Sequence, residues 1–188
     1  MPKLFVAIGL PAAATEALDR IQPRPSAGVR LAEQSQMHLT LHYLGEADVE
    51  RIAVALEVLA FQAFSLTLEG VGQFPSAGGA VTLWAGVREN AELLGLRTAV
   101  AAALAEWGFR PEARRYTPHI TLARCERGAA TDLAAEFLAR QAAFRIAEVP
   151  VAGFGLFSST LVGEVPVYRC ERQFPLLVGE AKAISGST

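Results

Sequence analysis

Residues 37–45 read M-H-L-T-L-H-Y-L-G, and residues 118–124 read P-H-I-T-L-A-R. The chain has three histidines, and two of them, His38 and His119, open the same phrase, His-apolar-Thr-Leu. Both phrases alternate with the two-residue period of a β-strand, in which side chains at i and i+2 share a face. His38 and Thr40 therefore project together, with Leu39 and Leu41 behind them. His119 and Thr121 do the same over Ile120 and Leu122. The apolar partners can anchor each strand in a core and leave imidazole and hydroxyl facing outward. Two such strands brought together present two imidazoles and two hydroxyls to one space.

The strand over 38–44 stops at Gly45, and Asp48 stands where it can cap a helix over Val49–Leu59. Strands are expected at Ser65–Val71 and Ala80–Val87, joined by the loop P-S-A-G-G. Asn90 then caps a long alanine- and leucine-rich helix that Gly108 ends. Upstream, Lys3–Gly9 reads as a strand and Pro11 opens a helix to about Ile21. Proline suits that first turn because its missing N–H was unpaired there anyway. Pro23 and Pro25 end the helix, and Val29–Ala32 is a short strand. After His119 the order recurs: a helix over about 131–141, a strand near Phe144–Val149 extending towards Phe157, and a strand at Val167–Phe174.

A second phrase marks the repeat. Gly70-Val71-Gly72-Gln73-Phe74 and Gly153-Phe154-Gly155-Leu156-Phe157 are both G-x-G-x-F, at nearly the same offset from the two histidines. Self-similarity of this kind is the mark of a duplicated unit, and two copies make a pair of lobes about an approximate twofold axis. Two similar turns arising by chance is the plainer account of this phrase alone. As a phosphate loop it is poor, since neither copy has a third glycine or opens a helix.

With 188 residues and 52% hydrophobic content, the chain suits one domain spanning 1–188, of two lobes. A net charge of −2 argues against holding nucleic acid along a broad basic surface. Contact with a chain end is the form of binding that fits. No apolar run approaches the ~20 residues of a membrane span. The opening M-P-K-L-F-V-A-I-G-L-P is β-branched, short and broken by Gly9 and Pro11, so a core strand is expected there rather than a signal peptide. Cys125 and Cys170 form no framework, as in a reduced cytoplasmic protein.

Two histidines across a cleft suit concerted acid–base work, because with ordinary pKa values near 6.5 one can accept a proton while the other donates. Threonine hydroxyls, stiffened by β-branching, can donate to phosphoryl oxygens as charge develops on them. Other readings are open to weighing. His38 and His42 as a metal pair would lie roughly 13 Å apart along a strand, too far for one ion. His42 is expected instead near the cleft mouth, in reach of substrate. No serine or cysteine sits in a nucleophile elbow. Both histidines could also be structural, hydrogen-bonded in the core.

The paired phrases resemble the H-x-T-x motifs of the two-histidine (2H) phosphoesterase superfamily. The surrounding K-L-F-V-A-I-G-L-P, R-Y-T-P-H-I-T-L-A-R, F-G-L-F-S-S and V-Y-R-C-E-R-Q-F-P-L narrow the resemblance to its RNA 2′,3′-cyclic phosphodiesterase branch, also called 2′-5′ RNA ligase, from Lys3 to about Leu177. The resemblance implies an α+β bilobal fold, with antiparallel sheets lining a water-filled cleft and helices outside. It implies hydrolysis of a terminal 2′,3′-cyclic phosphate of RNA to a 2′-phosphate, acting on RNA ends or cyclic nucleotides with no metal, cofactor or membrane, by a monomer. His119 would activate water, His38 would protonate the departing 3′ oxygen, and Thr40 and Thr121 would hold the phosphate. Arg124 matches an arginine that follows the second motif, but its parity is opposite to His119, so it reaches the cleft only if the strand ends or bulges. The tryptophan common ahead of the first motif is absent and His42 is unusual, so base stacking falls to Tyr116 or Phe5 or is lost. Ligation forming 2′-5′ linkages, action on a nucleotide-sugar cyclic phosphate, and a non-catalytic module that binds RNA ends are the alternatives.

Overall fold

A computed structural model describes residues 1–110, 115–128, 130–163 and 165–178. In chain order the elements are β1 (Lys3–Gly9), α1 (Ala12–Ile21), β2 (Val29–Leu31), β3 (His38–Glu46), α2 (Val49–Glu57), β4 (Phe64–Pro75), β5 (Val81–Val87) and α3 (Ala91–Ala105). There follow β6 (His119–Cys125), α4 (Ala130–Arg140), β7 (Arg145–Val151), β8 (Gly153–Val162) and β9 (Val165–Pro175). The helix boundaries follow local chemistry. Asp48 Oδ1 accepts from the Arg51 amide at 2.9 Å and Asn90 Oδ1 from the Leu93 amide at 2.7 Å, each satisfying an orphan donor of the first turn. Gly108, at φ 87°, closes α3, with the amides of Gly108 and Phe109 donating back to Ala105 and Leu104.

The fold is α+β. Among the described residues, nine strands form one antiparallel sheet in the order β7-β4-β5-β6-β3-β1-β8-β9, with β2 alongside the outer half of β6. At its middle, β3 and β6 pair through a single residue couple, Leu39 with Ile120. Hydrogen bonding is thus continuous across a sheet whose two halves meet at one point. The halves of the sequence cross over: β8 and β9 join the side of β3, while β4 and β5 join the side of β6.

The segment expected to run as one extended strand from 144 to 157 is two. Ala152 separates β7, which pairs with β4 at one edge, from β8, which pairs with β1 in the other half. Pro150 lacks a ladder donor, which suits an edge strand, and Glu148 at φ 55° bends β7.

Each helix buries one stripe. Leu93, Leu96, Val100 and Leu104 of α3, Ile52 and Leu56 of α2, and Leu18 of α1 join Leu39, Leu41, Ile120 and Leu122 in one apolar cluster. The opposite faces of β3 and β6, which carry the histidines and threonines, remain partly exposed. No helix among the described residues is long and apolar enough to cross a membrane.

Candidate active site

The Leu39–Ile120 pair sets the site's geometry. Carrying that antiparallel register one residue either way puts His38 across from Thr121 and Thr40 across from His119. All four line one cleft of about 330 Å³, together with Gln36, Tyr43, Arg124 and Tyr168.

Arg124 reaches the cleft because β6 bulges. Opposite β5, Trp84 pairs with Thr121 and Leu83 with Ala123, so Leu122 is skipped. Leu122 and Ala123 are both buried, which breaks the alternation and returns Arg124 to the face of His119. The first motif does the same. Ala7 pairs with Thr40 and Val6 with His42, so Leu41 is skipped, Leu41 and His42 are both buried, and Tyr43 emerges 52% exposed. Tyr43 and Arg124 thus hold the same place, five residues after their histidines.

Each imidazole is held in the same way. Nδ1 of His38 lies 2.7 Å from the Gln36 carbonyl, and Nδ1 of His119 lies 2.8 Å from the Thr117 carbonyl. A carbonyl only accepts, so both Nδ1 atoms carry the proton and Nε2 of each ring is the basic nitrogen. Rings of aromatic residues fix the imidazole planes. Phe5, Tyr168 and Phe157 surround His38 at 4.9, 5.0 and 6.3 Å between centroids. Phe74 and Trp84 flank His119 at 4.8 and 6.1 Å. Burial lowers the pKa of His38. The charges of His119 and Arg124 push it the same way, and the Gln36 carbonyl opposes them.

The G-x-G-x-F phrases find their purpose here. Phe74, ending the first, packs on His119, and Phe157, ending the second, on His38, so each phrase serves the histidine of the other repeat. The second glycine of each makes room. A Cβ at Gly72 would stand 2.2 Å from the Trp84 ring, and one at Gly155 would stand 2.8 Å from the Phe157 ring.

The skipped residues leave backbone carbonyls outside the ladder, and other groups take them. The Leu122 carbonyl accepts from the Ala32 amide at 2.8 Å and from Gln22 Nε2 at 3.0 Å. The Leu41 carbonyl accepts from Arg97 Nε at 3.3 Å. Tyr116 donates its hydroxyl to the Thr40 carbonyl at 2.9 Å, and the Arg97 guanidinium lies 4.3 Å over the Tyr116 ring. Burial pushes the Tyr116 hydroxyl up to about 12, with Arg97 pulling the other way. Tyr116 is therefore a strut between the loop before β6 and the first motif, with its ring covered by an arginine. His42, expected near the cleft mouth, lies inside the sheet at 5% exposure and donates from Nε2 to the Arg97 carbonyl at 2.8 Å. Burial holds its pKa below the ordinary range. Both residues border a second hollow of about 480 Å³, on the Phe74 and Arg115 side of the Thr–His line. Phe5 is 1% exposed and packs on His38.

Sequence reading gave no site role to Tyr43, Tyr168, Gln36 or Thr117, nor to Phe74 and Phe157, which it saw only as the ends of a repeated phrase. The shared five-residue offset of Tyr43 and Arg124 was available as a signal; the carbonyls of Gln36 and Thr117 have none in side-chain identity. Among the described residues, no three His, Cys, Asp or Glu side chains gather where they could hold a metal ion.

Residues 10–160 match the 2′-5′ RNA ligase superfamily, and the chain belongs to it. The RNA 2′,3′-cyclic phosphodiesterase of Archaeoglobus fulgidus is 32% identical over 177 residues, covering 92% of this chain and 99% of that protein. Its counterpart from Thermus thermophilus is 34% identical over 187 residues, covering 93% and 90%. Within the superfamily the chain therefore falls in the RNA 2′,3′-cyclic phosphodiesterase family. Among solved structures, TT0787 of Thermus thermophilus superposes with a TM-score of 0.73 at 28% identity over 92% of this chain and 97% of that one. E. coli LigT in complex with NADP+ gives 0.70 at 25% identity over 93% and 98%.

Proposed function

We propose that the protein hydrolyses the terminal 2′,3′-cyclic phosphate of RNA to a 2′-phosphate, using its two histidines as base and acid. The sheet halves on either side of the Leu39–Ile120 couple act as two lobes of one unit, with the phosphate between them. Nε2 of His119 takes a proton from water as its oxygen attacks phosphorus. The P–O3′ bond breaks, and Nε2 of a protonated His38 supplies the proton that the 3′ oxygen needs, leaving a 2′-phosphomonoester. Thr40 and Thr121 donate to the non-bridging oxygens, and Arg124 offsets the charge that grows on them. The observation that carries the reading is the matched Nδ1–carbonyl bond, which gives two rings lining one cleft the same tautomer, with Nε2 as the basic nitrogen of each. The family of the relatives agrees, and the E. coli LigT complex with NADP+ fits a cleft of nucleotide size.

The test is incubation with a nucleoside 2′,3′-cyclic phosphate or a short oligonucleotide ending in one, in chelator, with separation of 2′- from 3′-phosphate products. A 2′-phosphate is expected. Absence of turnover, loss of activity on chelation, or a 3′-phosphate product would each overturn the proposal.

A further inference from the structure

Arg124 is the centre of a row that crosses three strands. Arg30 of β2 stands directly opposite it on one side and Thr82 of β5 on the other. Directly opposed residues of antiparallel strands project from one face with Cβ atoms about 5 Å apart, so the two guanidiniums and the Thr82 hydroxyl belong to one patch. The row borders a hollow of about 390 Å³, together with Ser76, Gly28 and Glu126. Arg30 and Arg124 also border the cleft that holds the histidines, so cleft and hollow share these two side chains. At the same end, the stem of Arg127 packs against Gly79.

The position suits a second anion. Because Leu122 is skipped, Thr121 and Arg124 lie two strand steps apart opposite β5, about 7 Å, and the arginine stems carry their charges within the reach of one nucleotide. The rest of the chain has no basic surplus to hold a polymer, with a net charge of −2. Recognition of RNA by its backbone charge has to come from a local group of cations such as this one.

We propose that the Arg30–Arg124–Thr82 row is a second phosphate site. It receives the phosphate on the 5′ side of the terminal nucleoside, so that an RNA end is preferred over a lone cyclic nucleotide. The inference rests on the cyclic-phosphate hydrolysis proposed above. Arginine pairs the anion with charge-assisted hydrogen bonds, and the Thr82 hydroxyl adds a neutral donor.

Three substrates test it on the intact protein: a nucleoside 2′,3′-cyclic phosphate, the same compound carrying a 5′-phosphate, and a dinucleotide ending in the cyclic phosphate. The last two are expected to show kcat/KM higher by about tenfold, mainly through KM, as one charge-assisted hydrogen bond provides. The advantage should shrink as salt rises. In Arg30→Gln the ratio is expected to fall to about one, and in Arg30→Glu below it; Arg30 is exposed, so both variants should fold. Equal kcat/KM for all three substrates on the wild-type protein overturns the second site, as does a preference retained in Arg30→Gln. Preference for the dinucleotide without preference for the 5′-phosphate also overturns it, since the site would then read the nucleoside. Absence of turnover on all three is a different result, and it overturns the proposed hydrolysis itself.

Discussion

Replacing Gly72 by alanine probes how the aromatic neighbours hold His119. The added Cβ would lie 2.2, 2.3 and 2.8 Å from three carbons of the Trp84 ring. Carbon atoms in contact settle near 3.5–4.0 Å, so the indole has to move by more than about 1 Å. It cannot move alone: Phe74 lies 5.0 Å from Trp84 between centroids and 4.8 Å from His119. Forcing a group into filled space costs about 1–3 kcal/mol, and each kcal/mol lowers Tm by about 2–4 °C in a domain of this size. A displacement of about 1 Å at a reacting group costs on the order of 10²-fold in rate. The expected result for Gly72→Ala is a Tm lower by about 2–12 °C and a kcat on cyclic phosphate lower by about 10- to 100-fold, with KM little changed. Gly70→Ala is the control. Gly70 sits at φ 73° with no atom within 4 Å of its Cβ position, so it loses about 1–2 kcal/mol to backbone strain and keeps its kcat within a few-fold. Thermal unfolding and steady-state kinetics on the two variants decide the matter. A Gly72→Ala protein with wild-type kcat, or a Gly70→Ala protein that loses as much kcat, would refute the reasoning.

Three further outcomes are expected. Tyr116→Phe removes the bond to the Thr40 carbonyl and should cost about 0.5–1.5 kcal/mol in urea unfolding. It should also lower kcat, because the loop supplying the Thr117 carbonyl to His119 loses its tether; unchanged kcat and stability would contradict the strut. Arg124→Gln removes a positive charge that lowers the pKa of His38, so that pKa rises. With His38 as the acid, kcat/KM is lost as pH climbs through the His38 pKa of the free enzyme, and the alkaline limb should therefore move to higher pH; a limb that stays or moves down would contradict the assignment. His42 has a folded pKa below its unfolded value, so the unfolded chain binds the extra proton and stability falls as pH drops from about 6.5 towards the folded pKa. Urea unfolding of His42→Gln, which retains an N–H donor for the Arg97 carbonyl, should show a shallower fall over that range than the wild type.

The parts of the fold that depend on local chemistry were legible in the chain. Asp48 and Asn90 cap the helices they were expected to cap, and the His-x-Thr alternation brings its four side chains to one cleft. What escaped depends on residues distant in sequence. The split at Ala152 arises because β7 and β8 have different partners, β4 and β1, and neither is visible from the run itself. The bulges at Leu41 and Leu122 are set by register against β1 and β5; without the second, strand parity turns Arg124 away from the cleft. G-x-G-x-F was recognisable as a repeat, but its reason, room for rings that pack on the opposite repeat's histidine, needs the crossover of the sheet. Tyr116 and His42 were placed near substrate because polar and aromatic residues beside a motif suggest contact. Their partners, the carbonyls of Thr40 and Arg97, carry no sequence signature.

Single replacement of His38 and His119 by alanine, followed by kcat/KM on a terminal 2′,3′-cyclic phosphate across pH in chelator, tests the two-histidine chemistry most directly. The wild-type profile should be bell-shaped, and each variant should lose about 10²- to 10⁴-fold in rate together with one limb of the bell, while circular dichroism is unchanged. A folded variant of either histidine that hydrolyses the cyclic phosphate at the wild-type rate would contradict the account.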